Sequence, residues 1–190
     1  MLGLYIGIIL LLNIPYVQHR MSVLVAKELS TVLGSELTVG RINIGLLNRI
    51  IIDDLVLNDQ SGKELLKIGR LSAKFEILPL FSGKISIGNV QLFSFNANLE
   101  RPTPQASTNF QFVLDAFASK DTVKKKSNLD LRINSLLIRR GKVSYDVLSA
   151  ESTPGKFNPQ HIRLSNILAN ISLKALQNDS VNAAIKRMSV

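Results

Sequence analysis

Cysteine and tryptophan are missing altogether from this chain of 190 residues, and histidine occurs only twice. Without cysteine there is no disulfide, no thiolate nucleophile and no Cys-ligated metal. His19 and His161 stand far apart along the chain, so a His-based metal site or catalytic triad has little to build on. No glycine-rich phosphate loop is present; "TPGKFN" lacks the required spacing. Asp53-Asp54 is the one adjacent carboxylate pair inside a strand-like stretch, but neighbouring strand residues point to opposite faces. We read the two as bend-formers. These absences argue against an enzyme, and no cofactor, no catalytic residue and no metal is expected.

Acidic residues are also scarce, 14 against 23 Lys and Arg, for a formal charge of +9. The only dense cationic block is Lys124-Lys125-Lys126, near Lys120, read as a solvated loop. Elsewhere the cations fall singly between apolar residues, as at Lys67, Arg70, Lys74, Arg132, Arg139 and Arg140, the habit of solvent-facing strand positions. No helix-turn-helix, zinc-finger or RRM signature accompanies the charge, so nucleic acid is not an expected partner. Aromatics amount to 6% of a chain that is 46% hydrophobic, so the apolar content is mainly aliphatic.

What is present begins with an uncharged run, "LGLYIGIILLL", extended by Ile14-Pro15-Tyr16-Val17. As a helix, Leu2–Val17 would reach roughly 24 Å, a little under a hydrocarbon core. It lacks the basic start and small-x-small end of a cleavable signal peptide. Residues 1–17 are therefore expected to form a transmembrane anchor. The first charges after the run are Arg20 and Lys27, which by the positive-inside rule would hold the rest of the chain in the cytoplasm. An upstream start with its own basic residues is the expected resolution. In residues 18–34, Met21, Leu24, Val25, Leu29, Val32 and Leu33 form one helical stripe, ended by Gly34. This amphipathic helix is expected to lie on a membrane, plug the end of a sheet, or pack on one in the ordinary way.

Beyond it a broken two-residue rhythm recurs. The pattern is apolar-x-apolar, two polar or small residues, then apolar-x-apolar. It appears as Leu37-Val39/Ile42-Ile44, Ile50-Ile52/Leu55-Leu57, Leu66-Ile68/Leu71-Ala73 and Ile85-Ile87/Val90-Leu92. It returns as Leu131-Ile133/Leu136-Ile138 and Ile162-Leu164/Ile167-Ala169. The central pairs are Gly-Arg, Asp-Asp, Gly-Arg, Gly-Asn, Asn-Ser and Ser-Asn. A regular strand would turn the two halves to opposite faces. A β-bulge at each central pair would restore parity and bend the strand, so that a curved sheet gains one wholly aliphatic concave face. The competing reading is a corner, where the strand crosses between the layers of a sandwich.

"NDQSG" and "LPLFSG" are short enough for hairpins, so residues 35–101 are expected to be an antiparallel meander, with Phe93, Phe95, Ala97 and Leu99 as a further strand. Phe110, Val113, Leu114 and Phe117 have helical spacing, with Ser107, Thr108 or Asn109 as cap. That helix and the Lys-rich loop make 102–128 an insertion. After it the sheet continues through 129–190, with "SAESTPGKFNPQ" as a loop and no terminal cap, so the sheet reads as unfinished. The fold class expected is mainly β with an N-terminal α part: a curved antiparallel sheet forming a taco-like groove.

The order of parts resembles the N-terminal region of the AsmA-like/TamB family of Gram-negative bacteria. The residues that carry the likeness are "ELTVGRINIGLL", "IDDLVLNDQSGKELLKIGRLSAKF", "ILPLFSGKISIGNVQL", "NLERP", the Asn109-Phe110 of "NFQFVLDAF", and "LLIRRGKVSYD". The resemblance implies a single-pass inner-membrane anchor with the bulk of the chain in the periplasm, and a long β-groove like that of chorein-like bridge proteins. It also implies partners: the membrane and its phospholipids, and an Omp85-type outer-membrane barrel. Family members run far beyond 190 residues, so this chain reads as a fragment. Phospholipid transport between the membranes is one expected function; a scaffold for outer-membrane protein assembly is the other. For the first, the expected groove lining is Ile42, Ile44, Ile50, Ile52, Leu55, Leu57, Leu71, Ile85, Ile87, Val90, Leu92, Leu131, Ile133, Leu136 and Ile138.

Overall fold

Aliphatic residues alternating with polar ones place most of the chain in extended structure. The computed structural model describes residues 3, 7, 10–45, 48–75, 85–117, 129–130, 135–177 and 180–189, and its side-chain description also leaves out 75, 85–87, 117, 129–130, 173–177 and 180–183. The elements are helix α1 (Pro15–Leu33), strands β1 (Leu37–Gly45), β2 (Arg49–Asn58), β3 (Glu64–Phe75) and β4 (Ile85–Arg101), and helix α2 (Gln111–Phe117). They continue as β5 (Leu129–Asp130), β6 (Ser135–Val147), β7 (His161–Gln177) and β8 (Ser180–Ser189). One open sheet runs β1-β2-β3-β4-β6-β7-β8, with β5 beside the start of β4. The described strands form a single layer, not two layers joined by corners.

The meander β1 to β4 is antiparallel, as its short turns predict. The expectation of a wholly antiparallel sheet fails at one place: β4 and β6 pair in parallel. A parallel neighbour requires a crossover connection, and the segment after Arg101 that carries α2 provides it. A second correction concerns β4. The rhythm around Val90 and the alternation from Phe93 to Leu99 belong to one strand of 17 residues, not two.

The broken rhythm does what parity restoration requires. In β1, Leu37 and Ile42 are buried, Val39 and Ile44 half-buried, and Thr38, Gly40 and Arg41 exposed. In β7, Ile167 and Ala169 are buried on the side of Ile162 and Leu164, while Ser165 and Asn166 are exposed. From β1 to β4 the device at the break is not the expected one-sided bulge, however. Val39 faces Leu55 and Arg41 faces Asp53 in one unshifted register, so Gly40 and Asp54 sit opposite each other at the break. The same holds for Asp54 and Gly69, and for Gly69 and Ser94. A crease thus crosses the sheet, with β1 to β4 and β6 breaking level with their neighbours and the register shifting between β6 and β7. It passes through Arg140 in β6 and Asn166 in β7.

Asp54, Ser94, Arg140 and Asn166 have φ of 56°, 53°, 53° and 57°. A single left-handed residue in an extended chain reverses parity, at a cost of about 1–2 kcal/mol for a residue with a Cβ. Gly40 and Gly69 complete the row because their neighbours lean over them. A Cβ on Gly40 would lie 3.0 Å from Asp54 Cβ, and one on Gly69 3.3 Å from Ser94 Cβ. The crease therefore takes in the expected pairs Gly40-Arg41, Asp53-Asp54, Gly69-Arg70 and Ser165-Asn166. One-sided bulges of the expected kind do occur at Gly88, where Lys74 faces Asn89 but Phe75 faces Ile87, and at Ser165-Asn166, where Gly141 faces Ile167 but Val143 faces Leu164. Asn134, of the remaining pair, lies outside the described residues.

The crease makes a prediction. Asp54→Val should lose about 1–2 kcal/mol in urea unfolding, while Asp54→Gly should stay within about 0.5 kcal/mol of the native chain. A valine variant as stable as the glycine one would show that the backbone there is not left-handed.

α1 begins after a break at Asn13-Ile14, with Pro15 at its first turn, and ends where Gly34 turns left-handed and returns its N–H to the Ser30 carbonyl. The stripe expected to face the sheet does not do so throughout. Leu24 and Val32 are 60% and 57% exposed, whereas Gln18 and Ser22 are buried. The reason is that α1 runs antiparallel to β1 along its otherwise open edge. Asn13 Nδ2 donates to the Ile44 carbonyl at 2.8 Å, and Gln18 Nε2 to Asn43 Oδ1 at 2.6 Å. Farther along, the Leu37 N–H donates to Ser30 Oγ at 2.9 Å. An edge of bare backbone groups calls for polar side chains, and covering it blocks edge-to-edge association.

Among the described residues no helix is long and apolar enough to cross a membrane. Most of residues 2–9 lie outside the described residues. Leu10–Leu12 are helical, and Leu10 and Leu11 are 66% and 57% exposed.

Candidate functional site

Cross-strand register brings the predicted lining residues together. Ile44, Ile50, Ala73, Val90, Leu136 and Ile171 are successive partners across six strands. Ile42, Ile52, Leu71, Leu92, Ile138 and Ala169 form a second such row. At about 4.8 Å between strands, each row spans roughly 24 Å. Neither contains a polar side chain. Ile44, Ile50, Ile52, Leu71, Val90, Leu92, Leu136 and Ile138 are half-buried, so these rows are not sealed, while Ile42, Ala73 and Ala169 are buried.

The remaining predicted residues divide. Leu55 and Leu57 lie across the crease from these rows and are buried. Leu57 belongs to the packed core with Leu33, Leu37 and Leu65, against which Phe110, Phe112, Val113 and Ala116 pack. Leu57 is therefore core, not groove, and α2 covers that end of the apolar face. Ile85 and Ile87 are in β4, with their side chains among those not described. Leu131 and Ile133 lie outside the described residues, as do Lys124 to Lys126.

The opposite ends of the face differ in what borders them. The Asn13–Ile44 bond sets Asn13, just after the helical Leu10–Leu12, beside the end where Ile44 and Ile50 lie. α2 closes the other end, and Asn109 secures it. Asn109 Oδ1 accepts from the Glu100 N–H at 2.9 Å, and its Nδ2 donates to the Asn98 carbonyl at 3.1 Å. Its amide also reaches Asp59 Oδ2 at 3.4 Å. The Asn-Phe motif thus has a physical role: Asn109 grips the sheet while Phe110 enters the core. It does so instead of capping α2.

Asp59 is buried, which by itself would raise its carboxyl pKa. Hydrogen bonds from Ser61, Lys63 and Asn109 outweigh that and hold it below the usual range. A second polar clasp closes the turn after β6. His161 Nδ1 lies 2.8 Å from Asp146 Oδ1, and its Nε2 lies 3.1 Å from the Ala150 carbonyl. The bond to Asp146, then the one to Ala150, raise the His161 pKa. Burial would raise Asp146, but Arg163 and His161 bring it down. Both networks join strand ends to loops, and neither borders the apolar rows.

Asp53 pairs with Arg70 at 2.6 Å, and Asp54 stands exposed on the crease. Among the described residues no group of three His, Asp or Glu is placed to hold a metal. The crease positions in β4 and β6, Phe93-Ser94 and Arg139-Arg140, do not fit the sequence pattern, since Phe93 is neither polar nor small and Gly141 stands where an apolar residue should follow Arg140. Comparison with protein-family models and with curated protein sequences yields no match.

Proposed function

We propose that this chain is an AsmA/TamB-like protein, anchored in the inner membrane by Leu2–Val17 with its bulk in the periplasm, that carries phospholipid between inner and outer membrane. The observation that supports this reading is the pair of unbroken aliphatic rows, half-buried at most positions, on one face of an open sheet. Each methylene removed from water contributes about 0.8 kcal/mol. Because every position along a row offers the same kind of contact, an acyl chain shifts along it with little change in energy. The head group stays in water. The process needs no catalytic residue and no cofactor. The crease, by bending neighbouring strands at one level, is the feature that would curl the sheet into a groove.

Photo-crosslinking in the full chain tests this. A reactive residue at Ile52 or Leu92 should capture lipid, and one at Lys74 or Gln91 on the other face should not. Capture at all four positions alike, or at none, overturns the proposal.

The outer edge of β8 favours a second reading, a scaffold for outer-membrane protein assembly with an Omp85-type barrel. Among the described strands none pairs with that edge, and Ile185 and Met188 on β8 are 62% and 50% exposed. Strand addition there would give a client its backbone partners. Native mass spectrometry of the detergent-purified chain separates the two, by co-purified phospholipid or a co-purified barrel.

A further inference from the structure

We infer that the polar face of the sheet, at the crease between β3, β4 and β6, is a binding site for a phosphate group. The site is a shallow depression lined by Gly69, Arg70, Phe93, Ser94 and Arg140. Small residues make its centre, because Gly69 has no side chain and Ser94 has a short one. Two arginines flank it. The site lies on the face opposite the aliphatic rows, so it stands whether or not those rows carry lipid.

The backbone at Arg140 is the first argument. In a regular strand Arg139 and Arg140 would point to opposite faces, and one guanidinium would enter the apolar rows. With φ of 53° at Arg140, both are exposed on the polar face. Left-handed backbone is tolerated best by Gly, Asn and Asp, and an arginine there is an outlier of the kind that collects at binding sites. Shape alone would be served better by glycine. The charge is what arginine adds.

The second argument is how the neighbouring cations are held. Arg70 is fixed by Asp53, its Nε at 2.6 Å from Oδ1 and its NH2 group at 3.3 Å from Oδ2. Arg139 lies 5.7 Å over the Phe93 ring. Among the described residues Arg140 has no carboxylate or carbonyl partner, and neither has the Ser94 hydroxyl. One positioned arginine, one unpaired arginine and a hydroxyl donor around a small-residue hollow match a tetrahedral oxyanion, which the guanidinium fork binds through paired N–H groups. The phosphate can come from a phospholipid head group or from free phosphate. Leu168, which lines an adjoining hollow together with Arg139, is 42% exposed on this face and gives a lipid an apolar contact that free phosphate cannot use.

The full chain in a nonionic detergent is titrated with inorganic phosphate, and separately with a short-chain phosphatidylglycerol below its micelle concentration, by calorimetry. Saturable, salt-sensitive binding of either probe is expected, weakened about tenfold or more in Arg140→Gly. Glycine suits the left-handed backbone, so this variant keeps its fold, which its melting temperature verifies. Ser94→Gly, equally compatible, should weaken binding by a smaller factor, and Lys63→Gln, on a distant turn, should leave it unchanged. Binding of both probes identifies the phosphate as the recognised group. Binding of the lipid alone assigns the head group with its apolar flank, and binding of phosphate alone assigns the free ion. If neither probe binds, or if Arg140→Gly binds as tightly as the native chain, the site does not exist.

Discussion

Leu57→Ala should lower the free energy of unfolding by about 2–5 kcal/mol, the usual cost of truncating a buried leucine where the surroundings cannot collapse. Leu57 is 3% exposed and sits in the core cluster with Leu33, Leu37 and Leu65. Leu37 and Leu66 face it across the ladder on either side. Aromatic and aliphatic residues from Phe110 to Ala116 pack against the same cluster. The cavity would therefore open where three parts of the molecule meet: the last turns of α1, the sheet and α2. The measurement is the urea midpoint with unchanged slope. Leu168→Ala, at an exposed position, is the reference and should cost under about 0.5 kcal/mol. A loss under about 1 kcal/mol at Leu57 would show that α2 does not seal that end of the sheet.

Val90→Asp is expected to abolish lipid capture by a photo-crosslinker at Leu92 while leaving the fold largely intact. Val90 lies in the first apolar row, between Ala73 and Leu136, and is half-buried. A carboxylate there breaks the continuity of the row, since acyl chains do not solvate a charge. On an unsealed face water still reaches the carboxylate, so the loss of stability should stay near about 1 kcal/mol. In a closed core the same change would bury an unpaired charge at a cost of about 3–5 kcal/mol. The two outcomes are far enough apart for a single urea titration to decide between them. A large loss of stability means these rows are interior packing and carry no ligand; retained capture means lipid does not travel along this row.

The composition of the apolar face was legible in the sequence because strand periodicity is a local property. Ile42, Ile44, Ile50, Ile52, Val90, Leu92, Leu136 and Ile138 fall into two rows because each obeys the same alternation within its own strand. Gly34 was readable as a helix end for a similar reason: a left-handed terminus is served best by a residue without a Cβ. The amphipathic spacing of Phe110 and Val113 located α2 equally well. Leu57 was misassigned to the groove because alternation identifies a face and says nothing of what covers it.

What the sequence by itself determined was which side chains share a face, where parity must break in β1, β2, β3 and β7, where α2 lies and where α1 ends. Tertiary structure alone decided the rest. Ser94 joins the crease opposite Gly69 of β3, and Arg140 joins it beside Ser94 of β4, not through their own sequence context. The parallel pairing of β4 and β6 depends on a partner far along the chain, which no local rhythm encodes. Gln18 and Ser22 are buried because α1 meets the bare backbone edge of β1. Polar side chains on the inward face of a helix are favourable only against such an edge, and that edge exists only once the sheet has formed.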